Sequence, residues 1–246
     1  MKKQLKILIA NDDGIRSEGI ARLARAAQSY GEVYIAAPEH QCSGMSVRLT
    51  ISKTNPQIAV YRYNFPVPVR AAWSIDGTPA DCVKIALNAL LDFKPDVVLS
   101  GINDGMNAGL DVAYSGTIGA ATEAAMHGVR AIAFSMRDDT SFDVADLYLS
   151  DVLGELLEKP LAPGELWNVN FPTCVSSACK GILYERFSEP HSYYENFYEC
   201  VREENGVQYL APVAKVLQRA QTTPGSDIHA VLNDYISIGK VRCAPF

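Results

Sequence analysis

Residues 7–14 read Ile7-Leu8-Ile9-Ala10-Asn11-Asp12-Asp13-Gly14. An apolar run too short for a helix stops on turn-forming residues, the pattern of a strand buried on both faces. In an open parallel sheet, ligands gather beyond the carboxyl ends of the strands, where the strand order reverses. Asp12 and Asp13 stand at such an end. Successive strand residues point to opposite faces, so the two carboxylates can aim at one point only if the chain turns there, and Gly14 supplies that freedom. A cation between them would relieve their repulsion, and oxygen-only donors favour Mg²⁺, Mn²⁺ or Ca²⁺. An Asx turn leading into a helix N-cap explains the same residues, and this stretch alone leaves both explanations open.

Reading outward, residues 5–10 form the first strand. Ile20, Leu23, Ala24 and Ala27 then recur at helical spacing up to Tyr30, and residues 32–37 form a second strand before Pro38. Strand, helix and strand in so short a length make a right-handed βαβ unit. A loop of small and polar residues covers 38–46. Residues 47–53, 58–63 and 69–75 alternate in a β-rich pattern broken by Pro56, Pro66 and Pro68, which predicts an antiparallel excursion outside the parallel sheet. A helix over 82–91 opens at Thr78-Pro79-Ala80-Asp81, with proline near its start as expected. Strand 96–100 leads into the most glycine-rich loop of the chain, 101–116, followed by an alanine-rich helix from 117 to about 127, strand 130–136 and helix 142–158. Beyond Pro160 and Pro163 come a last buried strand at 167–172 and strands 181–187 and 209–213, joined by a tyrosine-rich polar stretch at 193–198. A polar loop at 218–227, a short helix at 228–232 and a closing strand at 235–238 end the pattern. The expected fold class is α/β: a Rossmann-like, doubly wound, mostly parallel sheet with an antiparallel β excursion. The whole chain reads as one domain, with a core over about 1–170 and a C-terminal arm over about 171–246.

The composition narrows the function classes. With 246 residues and 48% apolar content, a sizeable core is available. A net charge of −6 argues against nonspecific binding to nucleic-acid duplexes, but not against one small anion held locally. No leader pattern and no apolar run of membrane-spanning length is visible, so a cytoplasmic protein without membrane contact is the expectation. The cysteines (Cys42, Cys82, Cys174, Cys179, Cys200, Cys243) show no CxxC and no Cys/His ligand spacing, which predicts reduced thiols rather than a zinc site or a disulfide framework.

Three loops, 11–14, 38–46 and 101–116, fall at the carboxyl ends of predicted parallel strands, and each is rich in oxygen donors. Asp12 and Asp13 supply charge, while Ser43 and Asn103 are candidate neutral ligands of a Mg²⁺-type ion. Tyr114-Ser115-Gly116-Thr117 directly before a helix is an anion site: unpaired N–H groups, two hydroxyls, and a glycine that lets backbone approach. Metal beside a phosphate pocket suggests phosphoryl chemistry. Ser115 as a covalent nucleophile is disfavoured, because no Gly-x-Ser-x-Gly elbow and no placed histidine accompany it. His40 lies near the second loop and reads as a solvated side chain before a substrate contact. The tyrosines at 193–198 read as arm packing or oligomer contact before base stacking.

In order and spacing, Asn-Asp-Asp-Gly, Ser-Gly-x-Ser, Gly-Thr-Pro-Ala-Asp-Cys-Val and Ser-Gly-Ile-Asn-x-Gly-x-Asn-x-Gly-x-Asp-Val-x-Tyr-Ser-Gly-Thr closely resemble the SurE family of metal-dependent 5′/3′-nucleotidases. The resemblance covers residues 5–136, resuming at Ser226-Asp227 and Tyr235-Ile-Ser-Ile238. It implies one divalent cation per subunit, Mg²⁺ or Mn²⁺ with Ca²⁺ as an alternative occupant, held by Asp12, Asp13, Ser43 and Asn103. It implies hydrolysis of nucleoside monophosphates, with 3′-nucleotidase and short-chain exopolyphosphatase side activities. It further implies homodimers or homotetramers joined through exchanged C-terminal segments. Asp12, Asp13 and Asn103 are then the expected catalytic residues, with either aspartate as proton acceptor. Asn107, Ser115, Gly116 and Thr117 are expected at the phosphate, where charge stabilisation supplies most of the catalysis, with Asn11 and Gly44 as further substrate-binding residues. Gly77, Thr78 and Asp81 are placed at the nucleoside end, although a capped helix start explains them equally well. The chain departs from the family pattern at Asp104, an extra carboxylate, and after Ile238, where Thr-Pro-Leu is missing. A non-catalytic nucleotide or Mg²⁺ sensor would keep the same pocket. A dinucleotide oxidoreductase is disfavoured by carboxylates where a pyrophosphate needs glycines.

Overall fold

The computed structural model describes residues 4–51, 54, 57–138 and 140–243. Strands β1 (Leu5–Ala10) and β2 (Gly31–Pro38) flank helix α1 (Glu18–Ala27), as the opening pattern requires. Then come β3 (Val60–Arg62), β4 (Ala71–Ile75), α2 (Pro79–Ile85, continued by a π-helical turn at Ala86–Leu90), β5 (Val97–Asp104), α3 (Gly116–Met126), β6 (Arg130–Met136), α4 (Asp143–Glu158) and β7 (Glu165–Phe171). The remainder contributes β8 (Ile182–Arg186), the hairpin strands β9 (Tyr194–Glu204) and β10 (Val207–Val216), α5 (Asp227–Leu232) and β11 (Ile236–Arg242).

Nine strands form one sheet in the order β3-β4-β2-β1-β5-β6-β7-β11-β8. From β4 to β7 every neighbouring pair is parallel. The order runs outward from β1 through β2 to β4, then restarts at β5 on the other side of β1. The crevice of this doubly wound sheet therefore lies beyond Ala10 and the end of β5. Alternation along β1 explains why its buried residues 7–10 read as wholly apolar. Ile7 and Ile9 enter a core shared with Leu23 of α1 and Leu153 of α4, while Leu8 and Ala10 enter the opposite core with Val83 of α2 and Ile118 of α3. The alanines of α3 (Ala120, Ala121, Ala124) let that helix sit close on the sheet.

Three expectations are corrected. The segment 71–75 is not part of an antiparallel excursion: β4 pairs in parallel with β2, and only β3 runs antiparallel beside it. Residues 47–51 form no strand and 52–53 lie outside the described residues; the Thr50 backbone and hydroxyl instead bond to the Asp81 carboxylate, at 3.0 and 2.6 Å, laying the segment over the start of α2. The tyrosine-rich stretch is no polar connector but the beginning of β9. Asn205 and Gly206, both at positive φ (51° and 76°), make the two-residue turn that closes β9 onto β10. The sheet also continues past residue 170, since β11 pairs antiparallel to β7 and parallel to β8.

Candidate active site

The turn after β1 decides the orientation of the two acids. The Asn11 side-chain amide donates to the Gly14 carbonyl and the Ser17 hydroxyl, both at 2.9 Å, and Ser17 caps α1. Asn11 therefore braces the turn and does not line the cavity. Gly14, at φ 93°, completes the reversal. Asp12 is carried inward to 3% exposure, where its Oδ1 accepts the Thr117 hydroxyl. Its backbone carbonyl accepts the Cys42 N–H at 2.7 Å and so fastens the second loop to the first. The Asp13 Oδ2 accepts the Asp104 N–H at 3.0 Å, which couples the first loop to the end of β5.

Burial pushes the Asp12 carboxyl up to about 6; the Thr117 hydroxyl works against that rise and the Asp13 charge adds to it. Two neighbouring acids, one of them desolvated, thus meet with no lysine or arginine among the residues lining the cavity. The donors around them are hard oxygens. The Asn103 amide donates to the Gly105 carbonyl at 2.8 Å, and among the described residues its Oδ1 takes no hydrogen bond. Ser43 lines the same cavity. This donor set suits a Mg²⁺ or Mn²⁺ ion completed by water and a phosphate. Among the described residues no cluster of three or more His, Cys, Asp or Glu side chains converges.

The cavity is about 360 Å³ and is lined by Asp12, Ser43, Gly44, Asn103, Asp104, Asn107, Asp111, Tyr114, Ser115 and Tyr194, with Gly105 and Met106. Five of the anticipated ligand and phosphate positions (Ser43, Gly44, Asn103, Asn107 and Ser115) thus gather around Asp12. Ser115 caps α3, accepting the Ile118 N–H at 3.1 Å, which leaves its hydroxyl proton for an anion. Gly116 is required by packing: a Cβ there would lie 2.8 Å from the Asp12 Cβ and 2.9 Å from its Oδ2.

Other assignments change. Thr117 is fully buried and its hydroxyl serves Asp12, so it positions that carboxylate and does not grip phosphate. Asp13 sits at the edge of the cavity, one hydrogen bond from Asp104, which lines it. Thr78 and Asp81 form a capping box, Asp81 also holding Thr50, and neither they nor Gly77 lines the cavity. The capped helix start accounts for all three.

Several contributors escaped the sequence reading. The Asn107 backbone is clamped by two asparagines of β7: its N–H donates to Asn170 Oδ1 at 2.9 Å, and its carbonyl accepts from Asn168 at 2.8 Å and Asn170 at 3.0 Å. Its side-chain amide donates to Ser135 of β6 at 2.8 Å. Polar residues alternating within the otherwise apolar Trp167-Asn-Val-Asn-Phe171 were the available signal. Asp111, which accepts the Tyr193 and Tyr194 N–H groups at 2.7 and 3.0 Å, draws the start of β9 onto the site. A further anchor sits below: the Asp227 carboxylate accepts the Gly109 N–H at 3.0 Å and the Glu189 N–H at 2.9 Å.

The chain matches known proteins over most of its length. The model of the family described as survival protein SurE matches residues 7–193. A protein of Neisseria gonorrhoeae named 5′-nucleotidase SurE is 37% identical over 89% of this chain and 86% of its own length. One of Proteus mirabilis named 5′/3′-nucleotidase SurE is 36% identical over 95% and 88%. The crystal structure of the SurE protein from Aquifex aeolicus superposes with a TM-score of 0.81 at 31% identity, covering 98% of this chain and 94% of that one.

Proposed function

The chain belongs to the SurE family, and on that premise we propose that it is a 5′-nucleotidase, a phosphomonoesterase that releases phosphate from nucleoside 5′-monophosphates with a divalent cation at Asp12, Asp13, Ser43 and Asn103. The observation that carries the metal part of this reading is the desolvated Asp12 carboxylate beside Asp13, in a cavity lined by oxygen donors and no cationic side chain. A 3′-nucleotidase activity is supported by the name of the Proteus mirabilis relative. Short-chain polyphosphate belongs to the same substrate class, since a terminal phosphate is all the small cavity has to grip.

A dication held by these residues would supply charge neutralisation at the phosphoryl oxygens and a lowered pKa for the attacking water. The chain's own residues do the rest. The N–H groups opening α3, with the Ser115 hydroxyl, take nonbridging oxygens at the positive end of the helix. Thr117 holds Asp12 in one rotamer. Asp12 or Asp13 accepts the proton of the water. The clamp of Asn168 and Asn170 on Asn107 fixes the loop that faces the ester.

No helix among the described residues is long and apolar enough to cross a membrane. The six free thiols suit a reducing, cytoplasmic setting, and the exposed β9–β10 hairpin suits a homodimer or homotetramer contact. The test of function is phosphate release from adenosine and guanosine monophosphates with Mn²⁺ or Mg²⁺. Turnover that stops with a chelator and returns with the ion supports the reading. Binding of nucleotide without release would make the protein a sensor instead. Asp13→Ala is expected to abolish turnover while leaving the thermal transition in place; full activity in excess metal would remove Asp13 from the ligand set.

A further inference from the structure

We propose that Asp104 is a charge filter in the wall of the phosphate cavity, which admits esters carrying one ionised phosphate and disfavours diphosphates and polyphosphate chains. The proposal rests on the phosphatase reading and sets how far its substrate class extends.

Asp104 closes β5, where it pairs with Met136 of β6, and it is the one exposed residue of a strand otherwise buried along its length. Its backbone is pinned from the first loop, since its N–H donates to Asp13 Oδ2 at 3.0 Å. That fixes Asp104 in a cavity wall which it shares with Asp111, Ser115 and Tyr194. Asp111 is fixed as well, its carboxylate accepting the Tyr193 and Tyr194 N–H groups. Both charges reach the space between. Burial pushes the Tyr194 phenol up to about 12; a Met106 backbone hydrogen bond opposes that rise, while Asp111 and Asp104 add to it. Among the described residues no lysine or arginine lines the cavity.

Size does not decide between the two kinds of substrate. A cavity of about 360 Å³ has room for a second phosphate group beside the first, so charge must make the distinction. A monoester brings one ionised phosphate, whose charge the metal ligands are there to balance, and follows it with a neutral carbon–oxygen linkage. A diphosphate seated by its terminal phosphate brings a second ionised group one P–O–P linkage away. No cationic side chain of the cavity receives that group, and the Asp104 carboxylate repels it. Between like charges a few ångströms apart and partly out of water, such repulsion weakens binding by about tenfold. Salt screens it, so the preference for monoesters should shrink as ionic strength rises, which a packing role for Asp104 would not produce.

The experiment compares kcat/KM for adenosine monophosphate and adenosine diphosphate, with Mn²⁺ saturating, in the unmodified protein, Asp104→Asn and Asp104→Glu. Asp104→Asn keeps the size of the side chain and removes its charge. It should narrow the preference for the monophosphate about tenfold, through a lower KM for the diphosphate. Asp104→Glu, which keeps the charge, should retain the preference, and in the unmodified protein added NaCl should erode it. A preference unmoved by Asp104→Asn, or one that salt leaves untouched, overturns the filter and leaves the phosphatase reading in place. An equal loss on both substrates that more Mn²⁺ restores would make Asp104 part of the metal site, and also overturns it. Release of phosphate from neither nucleotide would defeat the nucleotidase reading alone. The filter is then read by calorimetry, from the binding of inorganic phosphate against pyrophosphate with Mg²⁺: Asp104→Asn should narrow that gap by the same factor, and an unchanged gap overturns the proposal.

Discussion

Asp12 is the residue on which the site turns, and its neighbours can be tested one at a time. Gly116→Ala would press a methyl group into the carboxylate. The expected result is a loss of activity of about a hundredfold with a destabilisation of about 1–3 kcal/mol, the usual range for an overpacked interior; unchanged kinetics would mean that α3 can retreat without cost. Thr117→Val keeps the shape and removes the hydroxyl that Asp12 accepts. Its metal concentration for half-maximal activity is expected to rise about tenfold, read by titrating Mn²⁺ against phosphate release, while an unshifted titration would show that Asp12 needs no steering. Asp12 and Asp13 were legible in the sequence because a short buried strand ended on them. The duties of Thr117 and Asn11 were not, because a hydroxyl or an amide near a phosphate site looks the same whether it touches the ligand or the acid beside it.

At the scale of elements, the loop 105–114 is held from two directions: by asparagines of β7, and by a buried acidic pair after residue 187. Glu189 is fully buried, and although desolvation alone would raise its carboxyl, hydrogen bonds from the Ser226 hydroxyl, the Thr223 backbone and hydroxyl, and His191 bring it down to about 2. A depressed carboxylate stabilises the folded state above its ordinary pKa of 4.5 and loses that contribution as pH falls from there toward 2. Glu189→Gln should therefore cost about 2 kcal/mol at neutral pH, as expected for a charged group with several buried bonds, and the deficit should close as pH falls below 4.5. Thermal melts of both proteins between pH 7 and 3 would check this, and a constant deficit would deny the charge its role. The helices and parallel strands of this region were readable from their periodicity. The β9–β10 hairpin was hidden behind its tyrosines and charges, although Asn205-Gly206 was a hairpin signal in plain view. The loop anchors could not be read, since Asn170 and Asp227 meet the loop only through long-range folding.

For the whole molecule, the central fact is the reversal of strand order between β1 and β5, which opens a crevice and fills both faces with core. Phe134, fully buried in β6 and stacked on Phe171 of β7 at 6.3 Å, belongs to the larger of the two cores. Phe134→Ala is expected to cost about 3–5 kcal/mol in a denaturant titration; a loss under 1 kcal/mol would mean that the neighbouring strands close the space. Parallel strands and their helical crossovers were legible because each is a local pattern. The order at the edges was not: β4 looked like its irregular neighbours, and nothing in the sequence of β11 says that it lies between β7 and β8.

The bond from Asp227 to Gly109 spans 118 positions. A chain emerging from the ribosome can assemble β1 through β7 and still have no finished pocket, because the pieces that tie down the rim are made last. Competence to turn over substrate must therefore arrive late and abruptly in biosynthesis, well after most of the sheet has formed.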